Sequence, residues 1–233
     1  SRRQRQMCIR DRYIADHTPA VFVEETVQGG NGQQTDVFIW QKQGGLRNLA
    51  RSTESGAGRE TYRTVPANAY DINGDGLTEI PRAVHMVGSV HPGNDEVYML
   101  DWYLYAADHE PTYVRTTYRN VSQEWDFVIS QAWYNTVHAV KGTNDGTDYT
   151  RFEVYVPNGK PIPLLTIYYL LGTADDVKQE MEEKNLFPLE RVLSGTFAAS
   201  IPPEAAKSSL ALTQTQVQER FSPITVHWND SQS

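Results

Sequence analysis

The nine-residue segment DINGDGLTE at residues 71–79 constrains the fold of this chain more than any other part of it. Oxygen-bearing side chains occupy its first, third, fifth and ninth positions, which are Asp71, Asn73, Asp75 and Glu79. A short loop with this spacing wraps around a hard cation, and the backbone carbonyl of the seventh residue, Leu77, supplies a further ligand. Calcium suits such a loop because it accepts carboxylate and amide oxygens in an irregular arrangement. The sequence therefore predicts a calcium site at these five residues.

Two related calcium motifs and one bare turn are the alternatives for this segment. An EF-hand needs a bidentate Glu at the twelfth position and a helix on each side, and a dockerin-type loop also expects an acid there. Arg82 occupies that position, Pro81 precedes it, and residues 83–87 read as a strand. Asn-Gly and Asp-Gly pairs also form tight turns between strands. Four correctly spaced oxygen donors are more than a turn requires, so metal binding is the favoured interpretation.

The surroundings of the segment resemble a known family. The pattern Asp-x-Asn-Gly-Asp-Gly-x-x-Glu, preceded by strand-like runs at residues 20–24, 35–40 and 46–49, is similar to the calcium loop of FG-GAP or VCBS repeats. Such repeats form blades of β-propellers, and an acid at position nine, here Glu79, closes the loop. The resemblance covers about residues 13–90 and involves one calcium loop, whereas a closed propeller needs several blades. It implies a partial or terminal, propeller-blade-like β segment, which we place at residues 13–94.

The first twelve residues read as a separate feature. Residues 6–12, QMCIRDR, look like the translation of a transposase end sequence used to tag DNA for sequencing. Residues of that origin are excluded from fold reasoning, so we expect residues 1–12 to be an artefact or disordered. The alternative is a basic tail, carrying five arginines, that binds nucleic acid or anionic lipid. Under the first interpretation, the true start of the protein is lost, and any signal peptide or lipoprotein cysteine is lost with it.

Composition limits the compartment and the partners. The chain has 21 Lys and Arg against 29 Asp and Glu, a net charge of −8, which disfavours nucleic acid as a partner. Its one cysteine, Cys8, allows neither a disulfide framework nor a thiolate metal site. No run approaches the ~18 apolar residues of a membrane-spanning helix. A cysteine-poor body with a weak calcium site fits an extracytoplasmic bacterial protein, secreted or lipid-anchored at the cell surface, because free calcium is plentiful there.

The second half, residues 95–233, predicts an α+β domain. Alternating or continuous apolar runs predict an antiparallel sheet with strands at 97–105, 112–119, 125–129, 136–141, 149–156, 164–171 and 193–201. Thr173 caps a predicted helix over 174–184, and a second helix begins at Thr213 or Thr215 and ends at Phe221. The run LLTIY at residues 164–168, before the first helix, and the run FAA at residues 197–199, after it, are similar to those of C-terminal domains of uncharacterised lipoproteins from gut Firmicutes. That resemblance implies no catalytic residue.

Catalytic patterns are weak throughout the sequence. The six histidines form no His-Glu-x-x-His motif and no paired zinc spacing, and the serines lack a Gly-x-Ser-x-Gly elbow. Glu124 and Asp126 lie two residues apart, which on a strand places both on one face for acid–base work on a sugar. The alternative is a solvated strand edge. We expect no enzymatic activity, and an unrecognised hydrolase remains the second alternative function.

Aromatic side chains are dense between residues 102 and 134. They are either core and hairpin residues, which the ordinary composition of strands favours, or the lining of a groove for sugars or peptides. The eight are Trp102, Tyr103, Tyr105, Tyr113, Tyr118, Trp125, Trp133 and Tyr134. The sequence thus predicts a non-catalytic, calcium-stabilised interaction or structural module of a bacterial surface protein, with a protein or glycan partner. A glycan- or peptide-binding module is the first alternative.

Overall fold

The computed structural model describes residues 7–26, 32–51, 60–89 and 96–224 of the chain. It consists mainly of three open antiparallel sheets with three short α-helices, so the expected α+β class is confirmed. The strands are β1 Met7–Ile14, β2 Thr18–Thr26, β3 Gln33–Gln41, β4 Gly45–Asn48, β5 Glu79–His85, β6 Tyr98–Leu104, β7 Thr112–Asn120, β8 Trp125–Ile129, β9 Val137–Asn144, β10 Thr147–Val154, β11 Ile162–Leu170, β12 Phe187–Val192, β13 Gly195–Ser200 and β14 Phe221–Pro223. The helices are α1 Gln131–Tyr134, α2 Ala174–Glu183 and α3 Gln214–Arg220. Two 3-10 turns occupy Ala15–His17 and Pro203–Lys207.

The chain divides into two compact units. One comprises Ser1–Val84 and Met99–Thr117, and the other comprises His85–Tyr98 and Tyr118–Ser233. Sequence analysis placed a single boundary near residue 94, which lies outside the described residues. Each of the two units is built from two separate stretches of the chain.

The first sheet is a four-stranded meander in the order β1-β2-β3-β4. Phe22 on β2 lies opposite Val37 on β3, and both side chains are buried. They pack in one apolar cluster with Ile14, Ile39 and Ile80, among others. Because successive strand residues point to opposite faces, this register places one face of the sheet against the core.

Strand β1 includes residues that sequence analysis assigned to an artefactual, disordered tail. Met7–Ile14 pair along their whole length with β2, from Met7 opposite Glu25 to Ile14 opposite Thr18. Residues 7–12 therefore lie in a strand, and residues 1–6 lie outside the described residues. Backbone pairing needs no particular side chain, so a strand can form here whatever the origin of these residues.

The second sheet has the order β12-β13-β11-β10-β9, and the third has the order β14-β8-β7-β6-β5. Phe152 on β10 is fully buried, and its ring centroid lies 5.2 Å from that of Phe127, 5.3 Å from that of Tyr118 and 5.6 Å from that of Trp133. Aromatic rings at these separations contribute through both area and ring geometry. An aromatic core therefore holds the second unit together.

Helix α2 starts where the sequence predicts. The Thr173 hydroxyl accepts a hydrogen bond from the Asp176 N–H, and the Asp176 carboxylate accepts one from the Thr173 N–H, which together form a capping box. Thr213 and Gln216 form a second capping box at the start of α3. Both helices are thus specified by local chemistry at their N-termini.

Candidate metal-binding loop

The segment 71–79 forms a loop that is closed at its base. Tyr70 and Glu79 form an isolated antiparallel bridge in which each N–H donates to the other residue's carbonyl at 3.0 Å. The Thr78 N–H donates to the carbonyl of Tyr13, at the end of β1, at 2.9 Å. Strand β5 begins at Glu79. Both ends of the loop are therefore fixed to regular structure of the first unit.

Inside the loop, Asp71 organises the turn. Its Oδ1 accepts hydrogen bonds from the N–H groups of Gly74 at 2.7 Å and Asp75 at 3.1 Å, and its Oδ2 accepts one from Gly76 at 2.8 Å. Gly74 and Gly76 have φ of 79° and 86°, a region that glycine enters without the strain of a Cβ. Glycine at these two positions therefore lets the loop turn where a Cβ would obstruct it.

Asn73 and Asp75 lie at the exposed tip of the loop. The Asn73 amide donates to Asp75 Oδ2 at 2.8 Å, and Asp75 Oδ1 accepts from the Leu77 N–H at 2.8 Å. Leu77, the predicted carbonyl ligand, is half-buried. The side chains of Asp71, Asn73 and Asp75 are thus turned along the loop backbone.

Glu79 differs from the other acids of the loop because it is fully buried. Its Oε2 accepts a hydrogen bond from the Ile72 N–H at 3.0 Å, whereas its Oε1 is buried without any hydrogen-bond partner. The pKa of Glu79 is raised from 4.5 to about 7, chiefly by burial and also by the nearby charges of Asp75 and Asp71, which together outweigh the lowering effect of the Ile72 N–H. A buried carboxylate oxygen with nothing to pair with is energetically costly.

The described residues contain no group of three or more His, Cys, Asp or Glu side chains arranged to hold a metal ion. In the loop, amide hydrogen bonds occupy oxygens of both Asp71 and Asp75. The predicted donors are therefore close in the chain and in one turn, but their carboxylates are not gathered around a common point.

Arg82, at the position where an EF-hand has its glutamate, points to other groups. Its Nη2 lies 3.0 Å from a Glu60 carboxylate oxygen and donates to the Tyr105 hydroxyl at 3.1 Å. Its guanidinium carbon lies 4.1 Å from the centroid of the Tyr103 ring, a cation–π contact. The twelfth position therefore takes part in packing and cannot supply a ligand.

The acid pair suggested for catalysis is not arranged as predicted. Asp126 is buried and accepts two hydrogen bonds from Arg119, at 2.8 Å and 2.6 Å. Glu124 lies exposed before β8 with φ of 57°, so it is in the hairpin turn and not on the same strand face. The expectation that both lie on one strand face is wrong because the strand begins one residue later.

The four described histidines have ordinary partners. His85 and His17 lie beside tyrosine rings, His109 pairs with Asp108, and the His138 ring contacts the Val87 carbonyl. His91 and His227 lie outside the described residues.

Most of the aromatic residues proposed for a groove are core residues. Trp102, Trp125 and Trp133 are at most 1% exposed, and Tyr105 and Tyr118 are each 2% exposed. Of the remaining three, Tyr113 is 38% exposed, and Tyr103 and Tyr134 are half-buried. The interpretation as core and hairpin packing therefore fits the structure better than a groove.

Sequence reasoning missed a buried ion pair next to the loop. Arg63 and Glu24 are 1% and 6% exposed, and their side chains lie 3.1 Å apart. They are 39 residues apart in the chain and belong to no motif, so no pattern in a single sequence indicates the pair.

Comparison with known proteins adds no identification, because no protein-family model, curated protein or solved structure matches this chain. Among the described residues, no helix is both long and apolar enough to cross a membrane.

Proposed function

We propose that this chain is a non-catalytic, calcium-stabilised module, in which one ion held by the loop at residues 71–79 stabilises the first unit. The observation that carries the proposal is the buried, unpartnered Oε1 of Glu79 at the ninth position of a loop with the spacing of a calcium site. A buried anionic oxygen without a donor is rare in native structures unless an ion or water completes it. A cation would remove the cost of that oxygen and the repulsion from Asp71 and Asp75.

The donor chemistry fits calcium. Asp71, Asp75 and Glu79 supply carboxylates, Asn73 an amide oxygen and Leu77 a backbone carbonyl, all of them hard oxygen ligands. When bound, the ion supplies charge neutralisation and a cross-link within the loop. Its role is structural, because every ligand comes from one turn and, in the part of the chain that the structure describes, no acid–base group beside it is placed to use a bound water.

The surface setting of the module is part of the same proposal. An acidic chain with one cysteine and a single calcium loop suits an extracytoplasmic bacterial protein, where calcium is abundant enough to fill weak sites. The resemblance of residues 13–90 to FG-GAP or VCBS repeats supports a propeller-blade-like origin for the four-stranded first sheet. The partner in this setting is a protein or glycan at the cell surface.

A second candidate function rests on an exposed aromatic that sequence analysis did not select. Trp40 on β3 is 76% exposed, and its cross-strand neighbour Leu46 on β4 is 62% exposed. Directly opposite residues of an antiparallel pair share one face, so the two form an exposed apolar patch. A glycan- or peptide-binding role is better placed on this patch than on the buried tryptophans, and loss of binding to cell-wall polysaccharide in Trp40→Ala would support it.

Isothermal titration of calcium into the full chain tests the main proposal. The unmodified chain is expected to bind one calcium ion, and Asp75→Asn is expected to abolish or greatly weaken binding. Asp145→Asn is the matched control, because Asp145 also precedes a glycine in a turn, between β9 and β10, and the substitution removes the same charge. Absence of calcium binding at millimolar concentrations, or equal binding by Asp75→Asn, would show that the loop is only a turn.

A further inference from the structure

The chain segment before the calcium loop is held in place by the buried pair Glu24–Arg63. Arg63 Nε donates to the Ala67 carbonyl at 2.6 Å, and its Nη1 donates to the Thr61 carbonyl at 2.7 Å. Its Nη2 contacts Glu24 Oε2 at 3.1 Å and also donates to the Ala67 carbonyl. One guanidinium thus fixes the backbone on both sides of itself.

Glu24 completes the arrangement from β2. Its Oε1 accepts a hydrogen bond from the Ala69 N–H at 2.5 Å, and its Oε2 accepts one from the Thr35 hydroxyl at 2.7 Å. Ala69 immediately precedes Tyr70, which forms the bridge with Glu79 that closes the loop. The carboxylate of Glu24 therefore binds the residue that directly precedes the base of the calcium loop.

Residue Gln33 on β3 anchors the same segment. Its backbone exchanges two hydrogen bonds with Arg63, at 2.8 Å and 2.9 Å, and its side-chain oxygen accepts from the Ala67 N–H at 3.1 Å. The buried pair therefore joins β2 and β3 to a segment that has no regular strand or helix among its described residues, 60–69.

From these contacts we infer that Glu24 and Arg63 are positioning residues for the calcium loop, and that ion binding and the ordering of residues 61–70 are thermodynamically coupled. The inference rests on the proposed calcium function. The pair fixes Ala69 and Tyr70, the Tyr70–Glu79 bridge fixes Glu79, and Glu79 supplies the buried ligand. Coupling is reciprocal, so whatever orders the segment strengthens ion binding, and the ion orders the segment equally.

Hydrogen–deuterium exchange on the full chain, with calcium and with EDTA, tests the coupling. Amides of peptides covering residues 61–70 are expected to exchange roughly 5- to 150-fold more slowly with calcium, the range typical of coupled sites. Amides of β9 and β10, in the other unit, serve as the internal reference and are expected not to change.

Titration of a matched pair of variants supplies the second measurement. Glu24→Gln is expected to weaken calcium binding roughly tenfold, within the usual range of coupling between sites. Asp126→Asn removes a carboxylate from a comparably buried pair with Arg119 in the other unit, and it is expected to lower stability without changing calcium affinity.

The outcomes separate the two proposals. Calcium binding by the unmodified chain with unchanged exchange over residues 61–70 would overturn the positioning role and leave the calcium function standing. Equal affinity loss in both variants would overturn it as well, because a general stability effect would then explain the result. If no calcium binds, both proposals fail. If Glu24→Gln does not fold, the hydrogen–deuterium exchange of residues 61–70 in the unmodified chain, with calcium and with EDTA, decides whether the coupling exists.

Discussion

Replacing Glu79 with glutamine is expected to have opposite effects with and without calcium. In the metal-free protein, burial raises the pKa of Glu79 from 4.5 to about 7, so its ionisation opposes folding. A group with a raised pKa in the folded state gives its full stability below the unfolded pKa and loses it as pH rises through the folded value. The metal-free protein is therefore expected to lose stability between about pH 4.5 and pH 7.

The pKa difference sets the size of the effect. The pKa of Glu79 in the folded protein lies about 2.5 above its ordinary value. At pH 8 this difference lowers the free energy of unfolding by about 3 kcal/mol, since a pKa difference of one corresponds to about 1.4 kcal/mol. Glutamine carries no charge, and its amide can point a donor toward the site of the unpartnered oxygen, near the carboxylates of Asp71 and Asp75. In EDTA at pH 8, Glu79→Gln should therefore melt several degrees above the unmodified protein, at about 2–4 °C per kcal/mol for a chain of this size.

Calcium is expected to reverse the order of stability. A ligand at about 1,000 times its dissociation constant stabilises the folded state by about 4.1 kcal/mol, which exceeds the deficit of about 3 kcal/mol worked out above. The unmodified chain should gain that amount, whereas Glu79→Gln, which lacks the buried carboxylate ligand, should gain little. Thermal melts followed by circular dichroism at pH 5 and pH 8, each with EDTA and with calcium chloride, compare the unmodified chain with Glu79→Gln under all four conditions.

The control is a buried glutamate that has a partner. Glu153 is 8% exposed and pairs with Arg151 at 2.8 Å, so Glu153→Gln should lower the melting temperature equally with calcium and with EDTA. If Glu79→Gln behaves in the same way, or if calcium raises the melting temperature of both proteins by the same amount, the reasoning from the unpartnered oxygen is refuted.

Three further changes test other parts of the structure. Gly76→Ala should cost about 1 kcal/mol in denaturant unfolding and weaken calcium binding, because a Cβ is strained at φ of 86°; Gly146→Ala, at φ of 80° in the other unit, is the control and should leave calcium binding unchanged. Trp133→Ala should cost about 3–5 kcal/mol by leaving a core cavity, with no calcium dependence, whereas a loss below about 1 kcal/mol would contradict its burial. Thr173→Ala should cost about 1 kcal/mol and lower helicity at α2, and Thr112→Ala, exposed at the start of β7, should not change helicity.

Local patterns predicted much of the secondary structure. The capping residue Thr173 and the alternation at residues 112–119 gave an accurate start for α2 and accurate bounds for β7. The edge strand β12, Phe187–Val192, was not predicted, because Pro188 and its charged neighbours disfavour a strand. Its pairing shifts register after Pro188, so its strand character depends on β13 and not on its own sequence. Such tertiary dependence is typical of edge strands.

The loop itself was accessible to sequence reasoning because its ligands are separated by fixed, short spacings. The burial of Glu79 was not, since it depends on the bridge to Tyr70 and on packing in the first unit. Arg82 shows the same limit. The sequence alone shows that a residue of this type at the twelfth position is incompatible with an EF-hand. Its cation–π contact with Tyr103 could not be predicted, because it depends on the pairing of strands that are distant in the chain. Spacing identifies candidate ligands, and tertiary structure decides which of them is energetically unsatisfied.

The long connection between β4 and β5 explains why a bound calcium ion would stabilise the first unit. Among its described residues, 49–51 and 60–78, the chain forms only isolated bridges and no regular strand or helix. Ordering each residue costs about 1–2 kcal/mol of backbone entropy, and irregular connections longer than about 15 residues are uncommon in compact domains. The described part offsets that cost with the buried pair Glu24–Arg63 and the loop hydrogen bonds, yet it leaves one buried oxygen of Glu79 unsatisfied. An ion at that oxygen would stabilise the part of the first unit with the least regular structure, where a cross-link has the most to contribute.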